Sequence, residues 1–415
     1  MKRLNFLRWV AVMLAMPMAS VIPSAVRADA VTDWNAIMQA TVTAPPTNPF
    51  FQARWGAIVQ LAVFEAVNAI EEDYEPYLGI INAPPWASPD AAAIAAAHRT
   101  LVTLRPGSAA ALNAARAASL AAIPDGPAKD AGILVGENAA AAMLLLRAGD
   151  GWNASVPYTP GSDPGDWQPT PPAFAPAAFT QWGAVTPFGL ANGSQFRLPP
   201  PPALDSDQYA DAYNEVKLVG RFDSPFRPQD RTDVARFYAA TTPVQAFNSA
   251  ARQVSAAQGK TLSENARIFA LLAMAIGDAS IAVFDTKYHY SFWRPVTAIR
   301  AGSDPDWLPL ITTPAFPGYP SAHGTLSGAA RAVLERAFGK RRQAITLTNP
   351  GLPGIVLNYT AWEQITDDIA DARVYGGIHF RYDQEAGADQ GRQVGRYILR
   401  HYLRSALDDD FGVDE

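Results

Sequence analysis

SENARIFALLAMAIGDASIAVF, residues 263–284, is apolar on almost every side when placed on a helix and contains no proline. A helix that is apolar all round either lies in the core of a large protein or spans a membrane. Asp278 near its middle argues against a membrane span, because a carboxylate in hydrocarbon is costly. Ser263 is the predicted N-cap. The segment therefore predicts a central core helix.

Helical patterns also dominate the rest of the chain. RWGAIVQLAVFEAVNAI, residues 54–70, predicts a second buried helix. Its Glu65 and Asn68 could line a site, but a buried pair that bonds to neighbouring helices is the favoured interpretation. Further helices are predicted at residues 91–104, 108–122, 128–147, 206–218, 229–251 and 361–372, and after His323 and Tyr382. Because strand-like alternation is scarce, the predicted fold class is all-α, built from packed helical bundles.

A proline-rich segment, residues 151–202, interrupts these helices and holds twelve of the 35 prolines. Proline at this density blocks helices and sheet ladders alike. The interleaved Trp152, Trp167 and Trp182 favour a long ordered loop packed across the helices over a disordered linker. The predicted organisation is an N-terminal helical region at 29–205, which includes this loop, and a C-terminal helical bundle at 206–415.

The first residues predict export. A basic start, an apolar run at residues 9–22 and small residues near position 28 are typical of a secretory signal peptide at residues 1–28. A membrane anchor is the alternative, which Pro17 and a run shorter than the roughly 20 residues of a bilayer span disfavour. The expected location is therefore secreted or periplasmic.

The composition excludes several classes of site and partner. The chain has 415 residues, of which 49% are hydrophobic, so it can bury a large core. It has no cysteine, which rules out disulfides and thiolate sites. Its net charge is −6, and −10 without residues 1–28, because that segment holds four basic residues and no acidic one. An acidic surface argues against nucleic acid as a partner, and no integral membrane association is expected.

Two segments in the last third of the chain carry cations and a hydroxyl. In KYHYSFWRP, residues 287–295, Lys287 and Arg294 lie among aromatic residues, so both are expected to be partly buried and to need an anion. FPGYPSAHGT, residues 316–325, is an irregular loop that leads into a helix capped by Ser321 or a neighbour. The free N–H groups of such a helix end bind anions.

Histidines complete this predicted site. His323 in the first turn of that helix could exchange protons with a ligand, and a core histidine is an equally good interpretation. In RVYGGIHFRYD, residues 373–383, two glycines break the helix so that Arg373 and His379 can turn to one point. Asp383, one turn after His379, could accept one ring proton and leave the other nitrogen free as a nucleophile or metal ligand. The remaining histidines and one arginine are interpreted as structural: His98, His289, His401 and Arg381.

The three segments together resemble a known signature. The ordered set resembles the motifs of the vanadium-dependent haloperoxidases, within the type 2 phosphatidic acid phosphatase superfamily: Lys287-x6-Arg294-Pro295, Pro320-Ser321-Ala322-His323 and Arg373-x5-His379-x3-Asp383. The string Phe316-Pro317-x-Tyr319-Pro320-Ser321 is similar to the chloroperoxidase branch in particular. The resemblance implies a helical-bundle fold and a vanadate cofactor.

The resemblance also implies a role for each matching residue. His379 would be the single protein ligand of vanadium, His323 the acid–base group and Asp383 the partner of His379. Hydrogen peroxide would replace oxygens on vanadium, and bromide or chloride would attack it to give hypohalous acid, with Lys287 polarising the peroxide. Phe316 is the candidate halide-site residue. The vanadate oxygens would be held by Lys287, Arg294, Arg373, the Ser321 hydroxyl and the Ala322 N–H.

The sequence departs from this signature at three positions. Ala322 replaces the usual glycine, Ala372 replaces a common serine, and Phe284 stands where fungal chloroperoxidases have tryptophan. Two other functions stay open. The same pocket would suit a soluble acid phosphatase, with His379 as the phosphorylated nucleophile and His323 protonating the leaving group. A helical binding protein without turnover is the third possibility.

Overall fold

A computed structural model describes residues 29–45 and 47–406. Within these residues the chain forms 13 α-helices and one two-stranded antiparallel hairpin, which confirms the all-α prediction. The predicted signal peptide at 1–28 lies outside the described residues.

The longest connection between helices contains the proline-rich segment, and two other long ones span residues 72–88 and 303–321. Before the proline-rich segment come α1 (Ala30–Thr43), α2 (Pro49–Glu71), α3 (Pro89–Leu104), α4 (Ala109–Ala121) and α5 (Pro127–Leu146). After it come α6 (Asp207–Val219), α7 (Gln229–Ala240), α8 (Pro243–Gln258), α9 (Leu262–Tyr290), α10 (Pro295–Gly302), α11 (Ala322–Phe338), β1 (Arg341–Thr348), β2 (Val356–Ala361), α12 (Trp362–Tyr375) and α13 (Arg381–His401).

Helix α9 is the central helix that the sequence predicts, and α2, α11 and α13 pack around it. Of the described helices, only α9 is long and apolar enough to cross a membrane, and 94% of its most apolar window is buried within the protein. Its predicted N-cap, Ser263, is wrong. The helix begins two residues earlier in a capping box, because Thr261 accepts the Glu264 N–H while the Glu264 carboxylate accepts the Thr261 N–H.

The single helix predicted for residues 229–251 is also wrong, because the chain forms α7 and α8 with a break between them. Pro243 lacks the N–H that a continuous helix needs, and the Thr242 hydroxyl caps α8 by accepting the Gln245 N–H at 3.3 Å. The break leaves the last carbonyls of α7 without helical partners, and one of them, that of Tyr238, bonds to the site.

The proline-rich segment is an ordered loop, as predicted, with Trp167 and Trp182 fully buried. Asp278 in the middle of α9 holds it. The buried carboxylate of Asp278 accepts the backbone N–H groups of Phe188, Gly189 and Leu190 at 2.6, 2.7 and 2.8 Å. The loop is thereby fixed across the core helix.

Two buried polar residues of α2 have other partners than predicted. Glu65 and Asn68 are both buried, but they bond to the chain that follows α2 rather than to neighbouring helices. The Asn68 amide donates to the Tyr74 carbonyl at 2.7 Å, and the Tyr77 N–H donates to Glu65. The pair therefore closes the turn after α2.

Glycines on α13 allow helices α11 and α13 to approach each other very closely where they cross. A Cβ placed on Gly391 would lie 1.9 Å from the Thr325 carbonyl oxygen, and one on Gly387 would lie 2.6 Å from that of Ser321. This approach brings the N-termini of the two helices together, where the Ser321 N–H donates to the Asp383 carbonyl at 2.8 Å. The second and third motifs therefore meet.

Candidate active site

The fold brings all three motifs to one buried point. Lys287 lies in the last turn of α9, Arg294 caps α10, and Arg373 lies in the last turn of α12. Ser321 caps α11, as predicted, and accepts the Gly324 N–H at 3.2 Å. The side chains named so far are buried, as are His379 and Asp383. Residues nearly 100 positions apart therefore form one site.

Backbone carbonyls hold the first two cations. Lys287 Nζ donates to the Pro317 and Gly318 carbonyls at 2.7 and 2.8 Å. Arg294 Nε donates to the Phe316 carbonyl at 2.9 Å. Both cations also lie over the Phe316 ring, 5.4 and 5.0 Å from its centroid. The loop before α11 thus positions Lys287 and Arg294 without neutralising their charge.

The cations of this cluster lack ionic partners. Within the described part of the chain, no salt bridge reaches Lys287, Arg294 or Arg373. Arg294 Nη2 and Arg373 Nε are buried and make no hydrogen bond. Burial lowers the pKa of all three groups, and Arg294 further lowers those of Lys287 and Arg373 by repulsion. Buried positive charge of this kind requires an anion.

Hydrogen bonds define which nitrogen of His379 carries the proton and which carries the lone pair. Arg294 Nη1 lies 2.9 Å from His379 Nε2, and an arginine can only donate, so Nε2 is the acceptor. The proton therefore sits on Nδ1, which donates to Asp383 Oδ2 at 2.9 Å. Burial, followed by repulsion from Arg294 and Lys287, lowers the pKa of His379. The ring is neutral, with the Nε2 lone pair turned toward the cations.

The backbone at the start of α13 holds the Asp383 carboxylate in place. Its Oδ2 also accepts the Phe380 N–H at 3.1 Å, while Oδ1 is buried without a hydrogen bond. Burial raises the pKa of this carboxyl, and Lys287 and Arg294 oppose that rise. Asp383 therefore orients the His379 ring, as a partner of a ligating or nucleophilic histidine does.

His323 lies in the first turn of α11. The Tyr238 carbonyl favours the protonated form of the ring. Burial and then the charge of Arg373 nevertheless lower the pKa of His323. The ring is therefore neutral in the absence of an anion and can accept a proton from an acidic ligand.

A cavity of 340 Å³ opens above these groups. His323, Arg373 and His379 form its polar floor, and Phe316 belongs to its wall. Of the predicted site residues, Phe316, Ala322, His323, Arg373 and His379 line this cavity, whereas Lys287, Arg294, Ser321 and Asp383 are not among its lining residues. The space is large enough for a ligand beyond an oxyanion.

Comparisons with known proteins point to one family. Residues 267–407 match the family model of the VCPO second helical-bundle domain. Vanadium chloroperoxidase from Curvularia inaequalis is 26% identical over 275 residues, 48% of this chain and 45% of that protein, so the match spans less than half of that relative. A bacterial vanadium-dependent iodoperoxidase structure has a TM-score of 0.79 at 25% identity, covering 91% of this chain and 96% of that one.

The chain is similar to the vanadium haloperoxidases, in fold over most of its length and in the sequence of its C-terminal bundle.

Two further solved structures, both of bacterial vanadium-dependent chloroperoxidases, share the helical fold of this chain. The structure of a holo-type bacterial vanadium-dependent chloroperoxidase matches with a TM-score of 0.70 at 18% identity, over 91% of this chain and 94% of that one. The apo-type structure matches with a TM-score of 0.72 at 18% identity, over 88% and 98%.

The departures from the haloperoxidase signature fit the structure without strain. Ala322 is the first residue of α11 and has no positive φ, so its methyl group costs no backbone strain where the family has glycine. Ala372 is buried within α12. Phe284 is buried too, with its ring 4.5 Å from that of Phe50 and 5.2 Å from that of Phe316.

Three contributors to the candidate site were missed by sequence reasoning. Tyr238 acts through its carbonyl, which accepts from Arg373 at 3.3 Å and favours the protonated form of His323. Phe50 and Phe179 line the cavity from α2 and the proline-rich loop. The Tyr238 carbonyl leaves no signal in the sequence. The aromatic residues of the proline-rich loop, such as Phe179, were noted in the sequence but not assigned to the site.

The residues interpreted as structural lie in other contacts. Arg381 pairs with Glu215 and Asp371. His98 bonds to the Asn113 side chain at 2.8 Å. The rings of His289 and His401 lie against Tyr290 and Tyr397. None of these side chains is among those that line the cavity of the described structure.

Proposed function

We propose that the chain is a vanadate-dependent haloperoxidase, which uses hydrogen peroxide to oxidise halide to hypohalous acid. The observation that carries this proposal is the set of three buried, uncompensated cations around His379 Nε2. Such a set suits a tetrahedral oxyanion. Phosphate has the same shape, but the relatives are haloperoxidases, which favours vanadate over the phosphatase alternative.

The residues present fit vanadate. The buried donors Arg294 Nη2 and Arg373 Nε are free to bind its oxygens, as is the proton of the Ser321 hydroxyl, whose oxygen already accepts the Gly324 N–H. The Ala322 N–H at the start of α11 adds a backbone donor. His379 Nε2 is the ligand for vanadium. When bound, vanadate supplies a Lewis acid that activates peroxide toward attack by halide.

Protein groups handle the charge and protons of this reaction. His323 is neutral, so it can take the proton of incoming hydrogen peroxide, and the Tyr238 carbonyl stabilises the imidazolium that results. Lys287 is held by two carbonyls, and its remaining proton would donate to and polarise a peroxide oxygen at this site. Phe316 lines the cavity beside Lys287 and Arg294 and is the candidate halide-site residue.

Location is part of the same proposal. Residues 1–28 would be removed during export, and the protein would act in the periplasm or outside the cell. The intact mass of protein recovered from those fractions tests this, because the mature chain should begin near Asp29. Recovery of the full chain from the cytoplasm alone would contradict it.

An assay pair tests the activity. The purified protein is given orthovanadate, and peroxide-dependent bromination of a phenolic dye is measured beside hydrolysis of an aryl phosphate. We expect bromination that requires vanadate and is lost in His379→Ala. Aryl phosphate hydrolysis that vanadate inhibits, without bromination, would establish the phosphatase instead, and absence of both activities would favour a binding protein.

A further inference from the structure

The cavity above the site has an apolar wall that neither peroxide nor halide requires. Phe50, Phe179 and Phe316 come from three separate segments and meet edge to face, with the Phe50 ring 5.1 Å from Phe179 and 5.8 Å from Phe316. Peroxide and a halide ion have only one or two heavy atoms, whereas the cavity measures 340 Å³. That volume is in the range of pockets that hold small organic ligands.

The opposite wall is aliphatic. Pro243, Ile311 and Leu326 face the cavity. The hydroxyl of Thr242 at this wall already bonds to the Gln52 side chain at 2.8 Å. The walls therefore offer apolar contact with few hydrogen-bonding groups, and the polar floor lies at one end. An aromatic ring that carries one oxygen fits such a cavity, because its body is apolar and one end is polar.

We infer that this cavity binds an apolar aromatic acceptor, a phenol or naphthol, beside the site where halide is oxidised. The inference rests on the proposed function. The ring would lie against Phe179 and Phe50, with its oxygen toward the cationic floor. The carbon–halogen bond forms as the oxygen–halogen bond of hypohalous acid breaks, and the displaced ring proton joins the released hydroxide to give water. Halogenation would thus take place in the cavity.

Three variants separate this cavity from the oxidation site. Thr312 is an exposed residue of the cavity lining and has no assigned role in oxidation, so Thr312→Trp is expected to fill part of the cavity from its exposed edge. Phe179→Ala removes part of the aromatic wall. Phe174→Ala is the matched control, because Phe174 belongs to the same loop, also has a positive φ, and is 62% exposed outside the cavity.

Calorimetric titration of 2-naphthol into the protein, without vanadate or peroxide, tests the inference. We expect saturable binding at one site, weakened about tenfold or more in Thr312→Trp and Phe179→Ala and unchanged in Phe174→Ala. Absence of saturable binding to the wild type would overturn the inference. Equal binding to Thr312→Trp, whose surface position leaves the fold intact, would overturn it as well.

A second assay separates this result from the proposed function. Triiodide formation from iodide and peroxide needs no organic acceptor, so Thr312→Trp should keep the wild-type rate. If the wild type forms no triiodide with vanadate, the proposed function fails, while the naphthol titration still reports on the cavity. If triiodide forms and naphthol does not bind, only the acceptor site fails.

Discussion

At the scale of single residues, the site depends on the protonation of two neutral histidines among fixed cations. His379 is oriented by Asp383 on one nitrogen and faces Arg294 with the other. His323 is kept neutral by burial and by Arg373. One ring is therefore suited to bind and the other to accept a proton, which divides the work between them.

Removing the charge of Asp383 should weaken the cofactor site. In Asp383→Asn the amide still accepts from His379 Nδ1, but the ring loses the negative partner that raises its basicity. We expect vanadate affinity to fall about 10- to 100-fold. Activity titrated against vanadate measures this, with Asp371→Asn on the surface ion pair of Arg381 as a control. Equal affinity in Asp383→Asn would show that the carboxylate does not tune His379.

Arg373 should control the protonation of His323. A positive charge nearby disfavours imidazolium, so Arg373→Gln should move the pKa of His323 upward toward its ordinary value of about 6.5. Imidazole NMR of the vanadate-free protein as a function of pH gives this value, and the chain has only five histidines to assign. A pKa that stays the same or falls would contradict the electrostatic account of this residue.

At the scale of elements, two carboxylates of α9 hold the proline-rich loop, one of them buried and the other near the surface. Asp278 is fully buried and accepts three backbone N–H groups. Asp285, two turns further along α9, pairs with Arg197 near the surface. Because the loop carries Phe179 into the cavity, its attachment to α9 also shapes the site.

The two attachments should differ in their contribution to stability. Asp278→Ala leaves three buried N–H groups without an acceptor, so the free energy of unfolding should fall by about 3–5 kcal/mol. Asp285→Ala removes a partly exposed ion pair and should cost about 1 kcal/mol or less. Urea unfolding of both variants measures the difference. Similar losses in the two would show that the buried carboxylate does not hold the loop.

Sequence reasoning succeeded where the local pattern and the packing agree. The Ala-rich pattern at 91–104 matches α3 to within two residues at each end, and the apolar run at 263–284 lies within α9. Sequence reasoning failed where a short local signal was overlooked. The Pro243 break in 229–251 was passed over, and the alternating RRQAITLT of β1, which buries Gln343, Ile345 and Leu347, was missed among the helices.

The candidate site was more predictable than its surroundings. Its side chains lie in three short motifs, where cations, glycines and a helix start are visible in the sequence. The Tyr238 carbonyl is not visible there, because any residue would supply it. Phe50 and Phe179 reach the cavity only through the packing of α2 and the loop, which no local pattern specifies.

At the scale of the whole molecule, an acidic chain encloses a cationic site. The net charge is −6, yet Lys287, Arg294 and Arg373 lie together in the interior with Asp383 as the nearby carboxyl. Buried positive charges repel one another and lower the free energy of unfolding. A bound oxyanion would raise it again. Oxyanion binding should therefore be visible in the stability of the entire protein.

Inorganic phosphate should stabilise the vanadate-free protein. A ligand that binds only the folded state adds about 2.7 kcal/mol when present at 100 times its Kd. The melting temperature should thus rise with phosphate concentration in the wild type, and the rise should be lost in Lys287→Met. Lys260→Met is the control, since Lys260 lies at the surface beside Glu264 just before α9. An equal rise in both variants would place phosphate elsewhere.

A crystal structure of the protein soaked in orthovanadate tests the central claim most directly, since the anomalous signal locates vanadium. We predict one vanadium at covalent bonding distance from His379 Nε2, with its oxygens bound by Arg294, Arg373 and the Ser321 hydroxyl. Vanadium bound elsewhere, or at this site without contact to His379, would contradict the account.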